Sequence, residues 1–372
     1  MLISADGDPA ETHPPSAVWH VATKELIAVA VWSQKRPGLG EDAEPTFVHH
    51  GPNRQGVLGV YDGLGGAGSR HAGHAKDGRH ITHAFVASRL AHLTVQSWFA
   101  ARVSSDRSEP APLSVRLTEV LTKARSSTRN KVVGTLRRDF PTTLAAIEYR
   151  VDRKNVAVTA LWAGDSRCYL LTPDQGLQQL SRDDSDVQDV LELLIADQPM
   201  TNVVSANGDF AIHEHGLARV SLPCVLVCAT DGFFGYVAAP ALFEHVLLSE
   251  LDRARDASGW SRSLAARVCS YTSDDASLVM VALGFASFHR LRQSFTRRLR
   301  DLESDHAEVI APIGDRSVFV AARRRSWELY RSQYLQYLDR STYPTDAVTA
   351  PRRPAAAGEH GNGRPNGKET GC

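Results

Sequence analysis

The chain has no excess charge: 42 Lys and Arg balance 42 Asp and Glu. Nothing in that balance argues for a nucleic-acid or membrane-surface partner. No apolar run approaches the ~20 residues that a membrane helix needs. Cysteine is scarce, five in 372 residues, and scattered without metal-ligand spacing. Cys168, Cys224 and Cys228 fall in or beside strand-like runs, where a small thiol is readily buried. The expectation is a reducing cytoplasm and no disulfides. The first residues, with Asp6, Asp8 and Glu11 and no apolar core, do not read as a secretory signal. What remains is 42% hydrophobic and 23% charged, the composition of a soluble globular protein. The length suits one large domain or two ordinary ones.

Against that plain background one stretch stands out. Val57 to Gly66 reads Val-Leu-Gly-Val-Tyr-Asp-Gly-Leu-Gly-Gly. An apolar run of strand length stops at Asp62, and glycines follow at once, so the backbone can turn tightly there. Val225 to Gly232 repeats the arrangement with Asp231. Thr159 to Leu171 is an apolar run broken by Gly164-Asp165-Ser166-Arg167, and Asp274-Asp275 stands before the run Ser277 to Leu283. One Asp-Gly alone is an ordinary turn, and Glu41-Asp42 alone is an ordinary acidic turn. Four strand ends that each present a carboxylate suggest a shared cleft. Carboxylates gathered in one cleft repel one another unless a cation sits among them, and hard divalent ions with oxygen ligands, Mg²⁺ or Mn²⁺, are the natural partners.

The ordered series Glu41-Asp42, Asp62-Gly-Leu-Gly-Gly66, Thr142-Thr143-Leu144, Gly164-Asp-Ser-Arg167, Asp231-Gly232 and Asp274-Asp275-Ala-Ser277 resembles the metal-dependent protein phosphatases of the 2C type, over roughly residues 17 to 285. The resemblance implies a serine/threonine phosphatase with two Mn²⁺ or Mg²⁺ ions about 4 Å apart. It implies that Asp62 bridges both ions, that Glu41 and the Gly63 carbonyl complete one shell, and that Asp231 and Asp274 hold the other. Asp42 then orients water from behind the shell, and Asp275 supports its loop.

The chain also departs from the family pattern. The phosphate-binding arginine of the family stands four residues before the glutamate; here that place holds Pro37, with Arg36 one residue early in a pliable glycine loop. Leu64 replaces a histidine that many members use as a general acid. Pro141 stands where glycine is usual. Gly235 stands where many members have a further aspartate, so a third ion is expected to be weakly held, through Asp165 alone. Gly235, the displaced Arg36 and an aromatic C-terminal helix support a second reading, a catalytically weak phosphatase fold acting as a regulatory protein-binding module, although every residue of the two-metal core is present. A metal-dependent nucleic-acid enzyme is permitted by the carboxylates, but no basic channel is visible beyond one arginine-rich helix.

The alternation of apolar residues predicts hairpins over Val18–Thr23 with Leu26–Ser33 and over Phe47–His49 with Val57–Tyr61. Three consecutive strands follow at Thr142–Tyr149, Val156–Trp162 and Arg167–Thr172. A short hairpin is expected around His215-Gly216, then strands at Val225–Thr230 and Ser277–Leu283. Long helices are expected over Gly73–Val103 and Leu113–Leu136, with further helices at Ala241–Leu251 and Trp260–Cys269. Short strand-to-strand connections favour antiparallel pairing. The expected class is α+β, an α-β-β-α sandwich of two antiparallel sheets flanked by helices, and the family resemblance implies the same. The segment 186 to 208 is weakly patterned and reads as a mobile flap near the cleft. His71, His74, His80, His83 and His92 fall in the first helical stretch. Pairs such as His80 and His83 could ligate a metal from one helical face, but no third acidic or cysteine ligand accompanies them.

Beyond the sandwich, Phe288 to Leu302 carries an apolar stripe of Phe288, Leu291, Phe295 and Leu299 beside several arginines. Val318 to Leu338 places Trp327, Tyr330, Tyr334 and Tyr337 at helical spacing. Such stripes must be covered by the sandwich or by a partner. Packing on the sandwich away from the metal cleft is expected, with a cognate kinase or regulatory protein as possible occupant of the arginine-rich face. The domain reading is a flexible leader over 1–16, the phosphatase domain over 17–285, a helical extension over 286–344 and a disordered tail over 345–372.

Overall fold

A computed structural model describes residues 2–4, 16–75, 78–104, 111–127, 138–187, 189–194, 198–311 and 316–338. In chain order the first strands are β1 (Leu2–Ser4), β2 (Ser16–Ala22), β3 (Leu26–Ser33), β4 (Thr46–His50) and β5 (Gln55–Val60). A single helical turn α1 (Gly65–Gly68) leads to a ribbon of β6 (His71–His74) and β7 (His80–Thr82), then to helices α2 (His83–Ser104) and α3 (Leu113–Ser127). Strands β8 (Leu144–Asp152), β9 (Asn155–Ala163), β10 (Arg167–Thr172), β11 (Gly176–Gln179), β12 (His213–Ser221) and β13 (Cys224–Ala229) follow. Next come α4 (Asp231–Phe234), α5 (Pro240–Arg253), α6 (Ala257–Cys269), strand β14 (Ala276–Leu283), and helices α7 (Phe288–Asp305), α8 (Ala307–Ile310) and α9 (Arg316–Tyr334).

Two six-stranded antiparallel sheets carry the fold. One runs β1-β4-β5-β8-β9-β12, the other β11-β10-β13-β14-β3-β2. The side-chain alternation of the strands explains the layering. In β14 and β3, Leu278, Met280, Ile27, Val29 and Val31 face one buried cluster, while Val279, Val281, Ala28 and Ala30 face another. The second cluster also takes Leu58, Val60, Ala145 and Ile147 from the opposite sheet, so it is the core between the sheets. The first is roofed by α5, α6, α7 and α9; a third cluster joins Val57, Leu144 and Ala146 to α2 and α3. A strand buried on both faces has no polar alternation, which is why β13 and β14 read as unbroken apolar runs. The result is the expected α+β sandwich with helices outside both sheets.

Several elements differ from the sequence reading. The helix expected from Gly73 starts only at His83, because His71–His74 and His80–Thr82 pair as an antiparallel ribbon. The inward stripe of α2 is Ala84, Ala87, Ala91, Val95 and Trp98, whereas Leu93 faces water. A hairpin around His215-Gly216 does not form: β12 is one strand that pairs along β9 with a register shift between Leu217 and Val220. Of the leader, Leu2–Ser4 is described, as a strand against β4, and Ser16 opens β2; residues 5–15, the last part of the helix expected to Leu136, and the tail lie outside the described residues. Cys168, Cys224, Cys228 and Cys269 are free thiols. No helix among the described residues is long and apolar enough to cross a membrane.

The aromatic stripes of the C-terminal helices are covered within the chain. Leu291, Phe295, Leu299 and Leu302 of α7 and Tyr330 and Tyr334 of α9 are buried in the same cluster as α5. The placement away from the cleft holds only in part. The Arg323 side chain of α9 hydrogen-bonds the Leu191 carbonyl, and Leu193 and Leu194 beside it line the acidic cleft. Arg298 is not free on an outer face either; it is committed to Glu244 of α5.

Candidate active site

Antiparallel register brings the acidic strand ends to one edge of the sandwich. Ala229 pairs with Leu278, so the residues after β13 and before β14, Asp231 and Asp274, leave the sheet side by side. Ala276 pairs with Ser33, which sets the loop to Glu41 against Asp275. Val60 pairs with Ala145, and Leu144 with Ala163, so Asp62 emerges beside Thr143 and the Gly164-Asp165 turn.

The backbone at Asp62 is clamped on both sides. Its N–H donates to Thr143 Oγ1 (3.1 Å), and its carbonyl accepts from Thr143 N–H (2.8 Å) and Thr142 Oγ1 (2.7 Å). Thr143 Oγ1 is in turn 2.6 Å from Ser166 Oγ, tying the Asp62 and Asp165 loops together. Glu41 Oε1 accepts from Thr82 Oγ1 of the ribbon (2.6 Å). Its carboxylate lies so near the chain at Gly65 that a Cβ there would stand 1.8 Å from Oε2. Gly232 has the same role after β13, where a Cβ would meet the Asp275 carbonyl at 1.9 Å. The glycines that follow the aspartates are thus needed for close approach.

Asp275 is a loop brace. Its Oδ1 accepts from Lys35 N–H (2.7 Å) and its Oδ2 from Glu41 N–H (2.6 Å). Asp275 also lines the larger part of the cleft, beside Asp62, Asp231 and Asp274, whereas Asp274 alone of the two reaches the smaller part. Asp42 is buried beneath, where its Oδ2 accepts from Thr230 Oγ1 (3.0 Å) and Ser277 Oγ (2.9 Å). Arg89 of α2 donates to the Gly40 and Glu41 carbonyls (2.9 and 3.2 Å) and packs over Phe85, so this cation fixes the loop. Behind Asp165, Arg167 makes two hydrogen bonds to Asp183 (2.8 and 2.6 Å) and lies over Phe234.

The cleft has two lobes. The larger, about 630 Å³, is lined by Glu41, Asp62, Gly63, Asp165, Asp231 and Asp274, with Arg138 at its wall. The smaller, about 290 Å³, shares Asp165, Asp231 and Asp274 and adds Asp183 and Gly235. Gln198 and Met200, from the segment read as a flap, face both lobes. Arg36 is exposed and is not among the lining residues. Arg138 is the arginine that lines the cleft among the described residues, and it was missed because the pair Arg137-Arg138 before Asp139-Phe-Pro gives no periodic signal. Gly235 indeed brings no carboxylate to the small lobe.

Charge in the cleft is compensated only in part: Arg167 acts on Asp165 and Arg89 on Glu41, yet both carboxyls are raised. Burial raises the Asp62 carboxyl well above the usual range, and Asp42, Asp231 and Asp165 add to it by repulsion. Asp165 is raised by burial, then by Asp231 and Asp183, and its Oδ1 is buried with no donor. Asp42 is raised by burial and by Asp275. Glu41 is raised by burial, against which the Thr82 hydroxyl acts. Among the described residues no three carboxylates have oxygens all within 4.8 Å of one another. As placed, the carboxylates do not form a closed three-carboxylate shell. An all-oxygen donor set, an orphaned buried oxygen and mutual repulsion together suit hard divalent cations.

No protein-family model matches the chain, and no curated protein matches it. Solved structures do. Serine/threonine phosphatase Stp1 from Staphylococcus aureus is 16% identical, covering 76% of this chain and 99% of its own, with a TM-score of 0.48. The Mycobacterium tuberculosis serine/threonine phosphatase PstP/Ppp is 18% identical over 72% of this chain and 98% of its own, at 0.45. PppA of Pseudomonas aeruginosa is 21% identical over 73% of this chain and 97% of its own, also at 0.45. Likeness this distant carries no activity over to this chain.

Proposed function

We propose that this chain is a metal-dependent phosphatase acting on phosphoserine and phosphothreonine in proteins. The observation that carries the reading is the convergence of Glu41, Asp62, Asp165, Asp231 and Asp274 on one cleft, with the Asp62 and Asp165 carboxyls held well above their ordinary range. The order of their motifs, which resembles the 2C-type phosphatases, supports the substrate class. Two Mn²⁺ or Mg²⁺ ions, when bound, supply Lewis acidity toward a phosphoryl oxygen and an acidified water as nucleophile. Asp62 would serve both ions, Glu41 and the Gly63 carbonyl one of them, and Asp231 and Asp274 the other. A third ion would have Asp165 alone.

The remaining residues position and polarise. Asp42, held by Thr230 and Ser277, offers a buried carboxylate beside Asp62 that would orient water from behind the ligands. Arg138 is the group placed to meet phosphate oxygens, since guanidinium geometry matches a phosphate's two oxygens. Thr142 and Thr143 keep Asp62 in place and Asp275 keeps Glu41 in place, so the donor set is prearranged before substrate enters. The open lobes admit a side chain on an extended peptide. The exposed position of Arg36 favours a second reading, a regulatory binding module with weak catalysis.

The test is hydrolysis of an aryl phosphate and of phosphoserine peptides by the purified chain with Mn²⁺, with Mg²⁺ and with chelator. Turnover that appears with the ions and vanishes in chelator is expected. Equal turnover in chelator overturns the metal-dependent reading; tight metal binding with no turnover on any phosphopeptide selects the binding module.

A further inference from the structure

Away from the acidic cleft, the β6–β7 ribbon gathers three histidines. His74 pairs directly with His80, and His71 pairs with Thr82. Residues opposed across two strands share a face, with Cβ atoms about 4.5–5.5 Å apart. In a regular strand His71 and His74, three positions apart, would project to opposite faces. The register shift between His71 and Gly73 removes that parity, as a bulge does when it re-aims a side chain. The rings therefore converge. Their centroids are 4.7 Å apart for His71 and His74, 4.7 Å for His71 and His80, and 4.5 Å for His74 and His80. One ring nitrogen from each lies within 4.8 Å of the other two, and all three side chains are exposed.

We propose that His71, His74 and His80 form a binding site for a borderline divalent transition-metal ion of the Zn²⁺ kind. Imidazole nitrogens suit Zn²⁺, Cu²⁺ and Ni²⁺, whereas Mg²⁺ and Mn²⁺ favour the oxygen donors of the cleft. The two sites thus select different ions. Zn–N bonds of about 2.0–2.1 Å in tetrahedral geometry set ligand nitrogens roughly 3.3–3.4 Å apart. Exposed histidine side chains, whose second torsion is soft, close the remaining gap of order 1 Å. Three protein nitrogens leave the fourth position to water, the pattern of an open zinc site.

The backbone beneath is already held. Ala75 N–H donates to the Arg79 carbonyl (2.8 Å) near the turn, and His83 N–H to the Arg70 carbonyl (2.8 Å) at the base. Arg79 Nη1 donates to the Pro37 carbonyl (3.3 Å) and Thr82 Oγ1 to Glu41, so the ribbon is fastened to the loop of the acidic cleft. Binding then orders three side chains and little backbone, which keeps the entropic cost low. The site rests on ring geometry alone and stands whether or not the cleft hydrolyses phosphate esters.

The experiment titrates the full chain with Co²⁺ in excess Mg²⁺ and reads visible absorption. Four-coordinate cobalt with nitrogen ligands absorbs strongly, six-coordinate oxygen-ligated cobalt weakly. One equivalent of the strong band is expected, displaced by one equivalent of Zn²⁺ and retained in Asp62→Asn/Asp231→Asn. His74→Ala and His80→Ala should each weaken Co²⁺ binding at least tenfold, and His71→Ala/His74→Ala/His80→Ala should hold one Zn²⁺ fewer per chain in equilibrium dialysis. A weak band only in the wild type overturns the proposal without recourse to any variant. So does a triple variant that holds as many Zn²⁺ ions as the wild type.

Discussion

Two groups of buried carboxylates in this chain face opposite electrostatic situations. Glu244 of α5 has no exposed side-chain surface. It accepts from Arg298 Nε and Nη2 (2.7 and 2.8 Å), from Leu177 N–H (3.1 Å) and from the Tyr330 hydroxyl. Donors from a sheet edge and both long C-terminal helices meet its two oxygens, and one donor is a full cation. In the cleft, Asp62, Asp165 and Asp231 face one another, and Asp165 Oδ1 meets no donor at all. Arg167, the cation nearest in sequence to Asp165, is spent on Asp183. Burial of a carboxylate is therefore no sign of function here. What separates the two groups is whether the protein itself supplies the balancing charge. Where it does, the carboxylate joins layers of the fold; where it does so only in part, the carboxyls are held well above their ordinary range.

Breaking the closed group should cost stability and spare metal dependence. Glu244→Ala leaves the Arg298 guanidinium largely buried without its partner, and a loss of about 3–5 kcal/mol is expected. Urea denaturation measures it, and the fraction still folded should keep its response to Mn²⁺. A near-zero change in the urea midpoint would mean that the C-terminal helices are not held through this residue.

The converse substitution should spare the fold and remove activity. Asp62→Asn keeps the clamped backbone and relieves repulsion, so stability without metal should stay level or rise. Turnover of a phosphopeptide should fall by roughly 10²–10³-fold or more. Retained turnover would show that Asp62 has no part in catalysis.

Linkage to pH sharpens the contrast further. Glu41, Asp42, Asp62 and Asp165 have folded-state carboxyls raised above their ordinary values. The folded state thus binds more protons than the unfolded one, and stability falls as pH rises. In chelator the chain should be steadiest near and below the ordinary carboxylate range, and should lose melting temperature as pH climbs through the raised values. Mn²⁺ or Mg²⁺ at a hundred times its dissociation constant at pH 8 should restore about 2.7 kcal/mol there, and the same concentration should restore less at pH 5. A gain that shrinks with rising pH would contradict the idea that the ions replace those protons.

The smallest effect separates two arginines. Arg138→Ala removes a charged donor from the cleft wall, so kcat/KM should drop by about 1.5–3 kcal/mol, roughly 10–10²-fold. Arg36→Ala, an exposed substitution off the cleft, should stay within about 0.5 kcal/mol. Steady-state kinetics on one phosphopeptide compares them, and a larger loss at Arg36 would restore the assignment made from its place before Glu41.

Much of the fold was legible because its strands announce themselves. β3, β13 and β14 are apolar without interruption, and each stops at a polar loop. Asp62, Asp165 and Asp231 were legible for the same reason, as the first charge after such a run, and Asp274 as a charge just before one. The ribbon was not. His71 to Thr82 has few apolar residues and helical neighbours, and only the pairing of His74 with His80 makes it two strands. β12 was split in the reading because His215-Gly216 resembles a turn, yet β9 offers a continuous partner and pairing overrode the local signal. Leu93, an apolar residue within the expected helix, faces water because it falls off the stripe of Ala84, Ala87, Ala91, Val95 and Trp98 that packs inward.

By itself the sequence determined which residues would end strands, which glycines would follow them, and hence which carboxylates would project from the sheets. Those are local properties, fixed by side-chain alternation and by turn chemistry. Tertiary structure alone decided which of these charges would be answered. Arg167 meets Asp183 and Arg298 meets Glu244 across long separations in sequence, while Arg138 reaches the cleft and Arg36 does not. The histidines came together only when a one-residue shift in register turned His71 onto the face of its neighbours. Charge balance is a sum over everything within a few ångströms, and the chain sets that neighbourhood only once it has folded.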